Sequence, residues 1–398
     1  MLLGLAGCVT DASRRASVPP EWQNPEFSTA PAPATPMPAA PPAPAPTPVL
    51  PAPVPPPPAA STNEVAETWV PLYRWCKATG INPPCSLGQT PAPGYALSTS
   101  NGVFALRIGM QSGSWNGMEV RLGFAPQMLE GQPVVHRLDL KKTLRPLLCG
   151  AALSFSKTNP TIVIDPGHGG DDAGTRSIVG NRCEREFTLD WARRLGAMLK
   201  TNGWQVFLTR SNDTHLSLSN RIAFAEEHRA DVFLSLHFNS AAPNMREAGL
   251  ETYCVTPTGM ASSVTRGYSD DATLTFPNNA FDAENLLLAA CVHRALLQVN
   301  GRHDRGVRHA RYLSVLRGQN RPAILVEGGY LSNPLEARRI ADPTYRQRLA
   351  EAVANALNEK TRSRAPKSEA AAAEPVVAAQ RAEGSPTGPA VNSTNQLH

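Results

Sequence analysis

Three short stretches of this chain put reactive side chains directly after apolar runs. Ile162-Val163-Ile164 leads into Asp165-Pro166-Gly167-His168-Gly169-Gly170. The run 232–236 leads into His237-Phe238-Asn239, and Ile324-Leu325-Val326 leads into Glu327-Gly328-Gly329-Tyr330. Two histidines and a glutamate brought to one edge are donor types that a catalytic zinc needs, since such sites take three protein ligands and keep one position open. The neighbouring glycines let a substrate approach the backbone. Singly, a histidine at a strand end is more often a satisfied polar group; the coincidence of three stretches carries the reading. A dinucleotide loop is excluded, because Gly167-His168-Gly169 would need glycine at 172 and has Asp172, and no GxxxxGK[ST] phosphate loop occurs.

A further carboxylate donor is expected in Cys183-Glu184-Arg185-Glu186, ahead of a helix over 187–200 with Thr188, Trp191, Leu195, Met198 and Leu199 on one face. Glu184 precedes Thr188 and Trp191 by four and seven residues, which places it on the face turned to the sheet. Glu186 aligns with Asp190, Arg193 and Ala197 on the outer face, where a first-turn acid favours the helix dipole.

The elements that must position these groups alternate. Between 159 and 360, apolar runs at 161–164, 205–208, 231–236, 250–254 and 323–326 alternate with helical periodicity at 187–200, 218–227, 282–299 and 345–360. This predicts an α/β domain over 156–361, with a mostly parallel twisted sheet and helices on both faces. Ligands of such sheets sit at the carboxyl ends of the strands, where the reactive clusters fall. A small β-rich domain is expected before it, over 62–155. There Phe104, Leu106, Ile108 and Met110 alternate with smaller or polar residues, and Met118, Val120, Leu122 and Phe124 do so again after Asn116-Gly117. That pattern predicts a hairpin with one buried face, then a turn at Leu129-Glu130-Gly131 and a helix near 139–148. Its lone His136 is read as structural. The segment is similar to the copper-amine-oxidase N-terminal-like modules attached to some cell-wall proteins. The stretch 255–281 has no clear periodicity and is expected to be a mobile rim on a substrate groove, without a built-in plug.

Composition bounds the rest. The 38 basic and 33 acidic residues give a net charge of +5 without a dense basic run, which argues against a nucleic-acid partner. No stretch approaches the ~18–20 apolar residues of a membrane span. Residues 17–61 are Pro/Ala-rich and read as an extended linker of about 3.1 Å per residue; 362–398 reads as a disordered tail. There are seven cysteines and no CxxC pair, so a cysteine zinc knuckle is excluded, while Cys76 and Cys85 are candidates for a local disulfide.

The ordered motifs Asp165–Gly170, Glu184, Ser235-Leu236-His237-Phe238-Asn239 and Val326-Glu327-Gly328-Gly329-Tyr330-Leu331-Ser332-Asn333 resemble those of zinc-dependent N-acetylmuramoyl-L-alanine amidases of the amidase-3 type. Leu208-Thr209-Arg210, Arg221 and Asp304-Arg305-Gly306-Val307 also fall where that family has similar residues. The resemblance implies that His168, Glu184 and His237 hold Zn2+ and that Glu327 is the catalytic acid/base. It implies cleavage of the amide between N-acetylmuramic acid and the L-alanine of the stem peptide in peptidoglycan. Departures from the family pattern are Ala173 in Asp172-Ala173-Gly174 and Gly328 in place of a usual Thr. Arg305, Arg308 and Asn239 are candidate substrate contacts. A zinc peptidase acting within the stem peptide and a non-catalytic wall-binding lipoprotein are the alternatives. Leu5-Ala6-Gly7-Cys8, within residues 1–16, resembles a bacterial lipobox, although its apolar run is shorter than a usual leader and lacks a basic start. It implies lipidation of Cys8, and Val9 after it points to an outer-membrane anchor in the periplasm. A protein activator is not legible.

Overall fold

The structure, a computed structural model, describes residues 68–362 apart from 151, 152, 154, 156 and 302. Cys8, the Pro/Ala-rich stretch and the C-terminal tail lie outside the described residues. The first strands are β1 (Trp69–Pro71), β2 (Cys85–Ser86), β3 (Gly94–Thr99), β4 (Gly102–Arg107), β5 (Ser112–Trp115), β6 (Met118–Arg121), β7 (Gln127–Leu129) and β8 (Gln132–His136). They are followed by β9 (Thr161–Pro166), β10 (Gln205–Leu208), β11 (Val232–Asn239), β12 (Leu250–Cys254), β13 (Asp304–His309) and β14 (Ala323–Tyr330). The longer helices are α1 (Leu72–Thr79), α2 (Glu184–Thr201), α3 (Leu218–Glu227), α4 (Asp282–Asn300), α5 (Pro334–Ala341) and α6 (Pro343–Arg362).

The expected α/β sheet is present, in the order β10-β9-β11-β14-β12-β13. Its neighbours pair in parallel except β12 with β14, which is antiparallel. Successive side chains of a strand point to opposite faces, and here both faces are covered. Ile162, Ile164, Leu234, Leu236, Ile324 and Val326 join Phe187, Trp191, Leu195 and Leu349 in one core, under α2, α4 and α6. Val163, Phe233 and Leu325 point the other way, against Ala225, Leu313 and Leu316. This double burial is why the strands read as unbroken apolar runs.

The N-terminal meander continues the same sheet. β6 pairs in parallel with β13 at Val120 and Val307, and β5, β4, β3 and β2 extend it to eleven strands. β1, β8 and β7 form a separate three-stranded sheet. Asn116 and Gly117, both at positive φ, turn β5 into β6 as expected. The arms differ from the expectation: the arm entering that turn is β5, Ser112–Trp115, while Phe104 and Leu106 lie on the preceding strand β4, which ends at Arg107 before Gly109 turns at φ 77° and Met110 is exposed, and β6 ends at Arg121, short of Leu122 and Phe124. His136 is buried, stacks on Phe124 and accepts from the Leu138 N–H, a structural role. Cys76 and Cys85 form no disulfide: Cys76 is buried on the core side of α1 and Cys85 is exposed on β2.

At the end of β9 a buried carboxylate organises the loop that follows. Asp165 accepts from Thr209 Oγ1 and Arg221 Nη1 at 2.6 Å each and from Ser235 Oγ at 2.8 Å. Burial alone would raise its pKa; Arg221 and the two hydroxyls outweigh that and hold it below the usual range. Removing one partner of a buried pair strands the other's charge, at about 3–5 kcal/mol. Asp165→Asn is therefore expected to lower the melting midpoint by on the order of 10 °C. Because the folded-state pKa lies below the unfolded one, this contribution is complete at neutral pH and is lost as pH falls below about 4. The variant's stability should thus vary less with pH in the acid range. Calorimetry at neutral and acid pH checks both, and an unchanged melt at pH 7 would refute the role.

Candidate metal centre and active site

His168 follows β9 in a left-handed backbone conformation, φ 63°, that side chains resist. Arginines enforce it from below. Arg221 donates to the carbonyls of Pro166 and His168 at 3.0 and 2.8 Å, and Arg210 to those of Pro166 and Gly167 at 3.0 and 2.9 Å. Asp172 Oδ2 lies 2.9 Å from His168 Nδ1, which leaves Nε2 pointing at the site. Gly167 is required by space: a Cβ there would lie 2.1 Å from His237 Cε1.

Glu184 is the first residue of α2, on the inner face as the helix geometry predicts. Its Oε2 lies 3.0 Å from His168 Nε2 and its Oε1 3.0 Å from His237 Nδ1. Backbone N–H groups of Thr175 and Phe238 complete its bonding, at 3.0 Å each. Burial works against its charge, yet the two imidazoles pull it below the ordinary carboxylate range. All three side chains are buried, and their donor atoms lie within 4.8 Å of one another, close enough to hold one metal ion. Glu186 caps its own helix instead, accepting from Cys183 N at 3.0 Å and pairing with Arg182 in solvent.

Glu327 stands directly across from His237 in the β11–β14 register, and Glu251 of β12 stands across from Glu327 on the other side. One row across three strands therefore reads His237, Glu327, Glu251. Glu327 is buried, and its Oε2 has no hydrogen-bond partner among the described residues. Burial, helped by Glu184 and Glu251 and opposed by His237 and Arg266, pushes its carboxyl up to about 7. A triad that could hold a metal ion, beside a carboxyl poised near neutrality, is chemistry suited to hydrolysis.

A family profile described as N-acetylmuramoyl-L-alanine amidase matches residues 162–359. Residues 162–359 are a domain of this family. The chain is 31% identical over 217 residues to N-acetylmuramoyl-L-alanine amidase AmiC of Neisseria meningitidis serogroup B, covering 49% of this chain and 51% of that protein. It is 28% identical over 261 residues to AmiA of Salmonella typhimurium, covering 60% of this chain and 89% of that one. It is also similar to a crystal structure of N-acetylmuramoyl-L-alanine amidase from Clostridium difficile 630, at 30% identity and a TM-score of 0.43, over 52% of this chain and all of that one. The chain thus spans about half the length of its meningococcal relative.

The amidase domain opens a cleft of about 1050 Å³ over the triad. Asn239, Arg305 and Arg308, the candidate substrate contacts, line it, and each is already engaged. Arg305 pairs with Glu251 at 2.6 Å and Glu247 at 2.5 Å; Arg308 reaches Glu251 at 3.6 Å; Asn239 Nδ2 donates to Glu251 at 2.9 Å. Glu251 is the residue that sequence reasoning missed, although an acid within the apolar run Leu250–Cys254 was a usable signal. Asp172, four residues after His168, was another. Of the two departures from the family pattern, Gly328 has a local reason: a Cβ there would approach Phe238 and Trp191 to 2.8 Å.

The stretch 255–281 forms the rim, contributing Val264 and Arg266 to the cleft, but it is tied down, contrary to the expected mobile loop. Ser262 donates twice to Asp270, at 2.7 and 2.6 Å, and Arg311 pairs with Asp270 and donates to Met260 O at 2.7 Å. Ser263 N donates to His309 O at 2.8 Å, and Tyr268 stacks on Tyr312. Long polar loops hide such anchors from sequence patterning, because their partners lie far away in the chain. The crowding at Gly167 gives a direct test of the triad. Gly167→Ala is expected to displace His237 and reduce bound divalent metal to trace levels while far-ultraviolet circular dichroism stays native. Full metal occupancy in that variant would show that the loop yields and that this contact does not set the site.

Proposed function

We propose that this chain is a zinc-dependent N-acetylmuramoyl-L-alanine amidase that hydrolyses the amide between the muramic-acid lactyl group and the stem peptide's L-alanine. The observation that carries the reading is the pairing of a buried His168–Glu184–His237 triad with Glu327, one strand away, whose Oε2 has no hydrogen-bond partner among the described residues. The donor set fits zinc: two imidazoles and a carboxylate, with the His168 ring fixed by Asp172 behind it. Held there, zinc would supply a Lewis acid beside the scissile carbonyl and bring the acidity of water into the neutral range.

The chain's own groups do the rest. Glu327 accepts a proton from the attacking water at Oε2 and returns it to the departing amide nitrogen, so that the amine leaves neutral. Its burial removes bulk water as a competing proton donor. His237 and Glu327 are carried by paired strands, so their backbone spacing is set before substrate arrives. Glu251 stays a charged anchor for Asn239 and Arg305, which shape the wall that the peptide meets. The cleft of about 1050 Å³ above the triad supports a bulky, peptide-bearing substrate. No helix of the described residues is long and apolar enough to cross a membrane. The lipobox-like Leu5-Ala6-Gly7-Cys8 supports tethering at Cys8 on the outer membrane, with the enzyme in the periplasm.

His168→Ala, His237→Ala and Glu184→Gln are expected to lose both zinc and turnover. Glu327→Gln should keep zinc while turnover on purified sacculi falls about 10²–10⁴-fold. Metal analysis and mass spectrometry of released products check this, the expected product being free stem peptides that begin with L-alanine. Fragments cut within the stem would favour a zinc peptidase, and a zinc-loaded, fully active Glu327→Gln enzyme would end the mechanism. For the anchor, metabolic labelling with a clickable fatty acid should mark the full-length protein and not Cys8→Ala; an unlabelled wild type would remove the proposal.

A further inference from the structure

The floor of the cleft continues beyond the amidase domain. Tyr253 and Leu325 belong to the core on the side away from α2, α4 and α6; Glu251 and Glu327, two residues away along their strands, share that side. Val307 of β13 and Val120 of β6 pair with each other and point the other way, into the core under the helices. Arg308, Glu119 and Arg121, next to them in the chain, therefore face the cleft side. Arg308 lines the cleft itself, and Glu119 closes on the strand beside it: a Cβ on Gly306 would lie 3.0 Å from Glu119 Cγ. From there the row runs outward. Glu119 stands opposite Ser114 of β5, Ser114 opposite Ala105 of β4, and Ala105 opposite Ala96 of β3. Trp115, Phe104 and Leu97 beside them fill the helix-side core, so the row itself is the outer face. Sheet twist turns that face by roughly 20–25° per strand, so β6 and β5 still look toward the cleft while β3 has turned away.

Side chains on the near part of this face are short or neutralise one another. Glu119 Oε1 pairs with Arg121 Nε at 2.8 Å and accepts from Ser112 Oγ at 3.1 Å, which leaves Ser112, Ser114, Glu119 and Arg121 without net charge. Such a face suits an uncharged polymer rich in hydroxyl and amide groups, and gives no complementary field to a strongly acidic or basic partner. Peptidoglycan supplies a polymer of that kind. The scissile amide hangs from the lactyl arm of a muramic acid, so a peptide lying in the cleft leaves its glycan passing the mouth. That glycan is uncharged wherever the lactyl group is amidated, and it carries hydroxyl and acetamido groups. Ser114 lies three strands from Glu251, roughly 14–15 Å at 4.7–4.9 Å per strand. That is beyond one sugar ring held at the cleft and within reach of the sugars joined to it. We propose, resting on the amidase reading above, that the outer face of β6 and β5 binds the glycan next to the muramic acid whose peptide is cut. The enzyme therefore selects peptides carried on strands over free muramoyl peptides.

The test compares a muramoyl tripeptide with soluble glycan strands bearing the same tripeptide, using the zinc-loaded full chain. The wild type should favour strands by about tenfold or more in kcat/KM per peptide, mostly through KM, on the scale of one or two net hydrogen bonds. Ser114→Arg, which puts bulk on the track, should bring the ratio close to one by raising KM for strands. Ser114→Gln, a smaller uncharged block, should remove part of the ratio and covers the case where arginine disturbs the sheet. Ser98→Arg, on the part of the face that has turned away, should keep the wild-type ratio. Zinc content and melting midpoint of each variant report whether the fold and the site are intact. A wild-type ratio near one, or an unchanged ratio in both Ser114 variants, overturns the proposal. So does equal slowing of both substrates by Ser114→Arg, which would make the position structural, or loss of the ratio in Ser98→Arg, which would make the effect one of added charge. A Ser114→Arg chain that keeps the ratio but falls from dimer to monomer in sedimentation would give the face to a second copy instead. Cleavage of neither substrate by the zinc-loaded wild type would strike the amidase reading itself, and this proposal with it.

Discussion

The buried carboxylate of Asp165 is the interaction on which the candidate metal ligands depend. Three donors saturate it, and Arg221, brought in as its counter-charge, has further N–H groups to place. Those groups go to the Pro166 and His168 carbonyls, and Arg210 joins them on Pro166 and Gly167. The outcome is a loop whose Pro166, Gly167 and His168 carbonyls are all held by guanidinium groups. His168 is thereby held in a backbone region it would otherwise leave. Only with the backbone fixed can Asp172 fix the ring and Glu184 bridge both imidazoles. A salt bridge remote from solvent thus controls ligand geometry rather than stability alone.

The same logic separates three carboxylates that sit within one site. Glu184 is surrounded by two imidazoles and two backbone donors and stays charged. Glu251 collects Arg305, Arg308, Tyr253 and Tyr330, and stays charged despite burial. Glu327, between His237 and Glu251 in the strand row, has few donors and two acidic neighbours, Glu184 and Glu251, so its proton affinity rises. Environments that push similar groups apart suit them to the different roles proposed above: a ligand, an anchor and a proton carrier. Interchanging Glu327 and Glu251 would require moving whole strands, because the register fixes which residue stands in the middle.

How much of this was legible in the sequence follows from where each partner lies. The sheet and its covering helices were readable because double burial writes itself as unbroken apolar runs, as in 232–236. His168, His237 and Glu327 were readable because each closes such a run. Glu184 needed only helix geometry. Glu251 was hidden, since its strand carries no glycine-rich exit and its importance comes from facing Glu327 across a reversed strand. Arg266 was more deeply hidden: no period marks it, and its placement rests on Asp270 meeting Arg311, forty-one residues apart in sequence. The broken first arm of the hairpin was missed because apolar alternation runs through Gly109, whose left-handed turn overrides it.

The reversed strand also explains why the N-terminal meander joins the catalytic sheet. β12 runs antiparallel to β14, which brings Glu251 opposite Glu327, and β13 then pairs in parallel with β12. The outer edge of β13 would present unpaired backbone groups next to the cleft. β6 occupies it, and the seam is closed by Asp304, which accepts from Glu119 N at 2.6 Å and Gly306 N at 2.8 Å and lies 2.9 Å from His293 Nε2. His293 in turn reaches Thr252 of β12 at 2.9 Å. Arg305 follows Asp304 directly and carries the pairing to Glu251. The backbone that presents one wall of the cleft is thus clamped from both sides, by β12 within the sheet and by β6 from the meander. Covering an exposed edge and fixing the cation that steadies Glu251 are, at this seam, one and the same set of bonds.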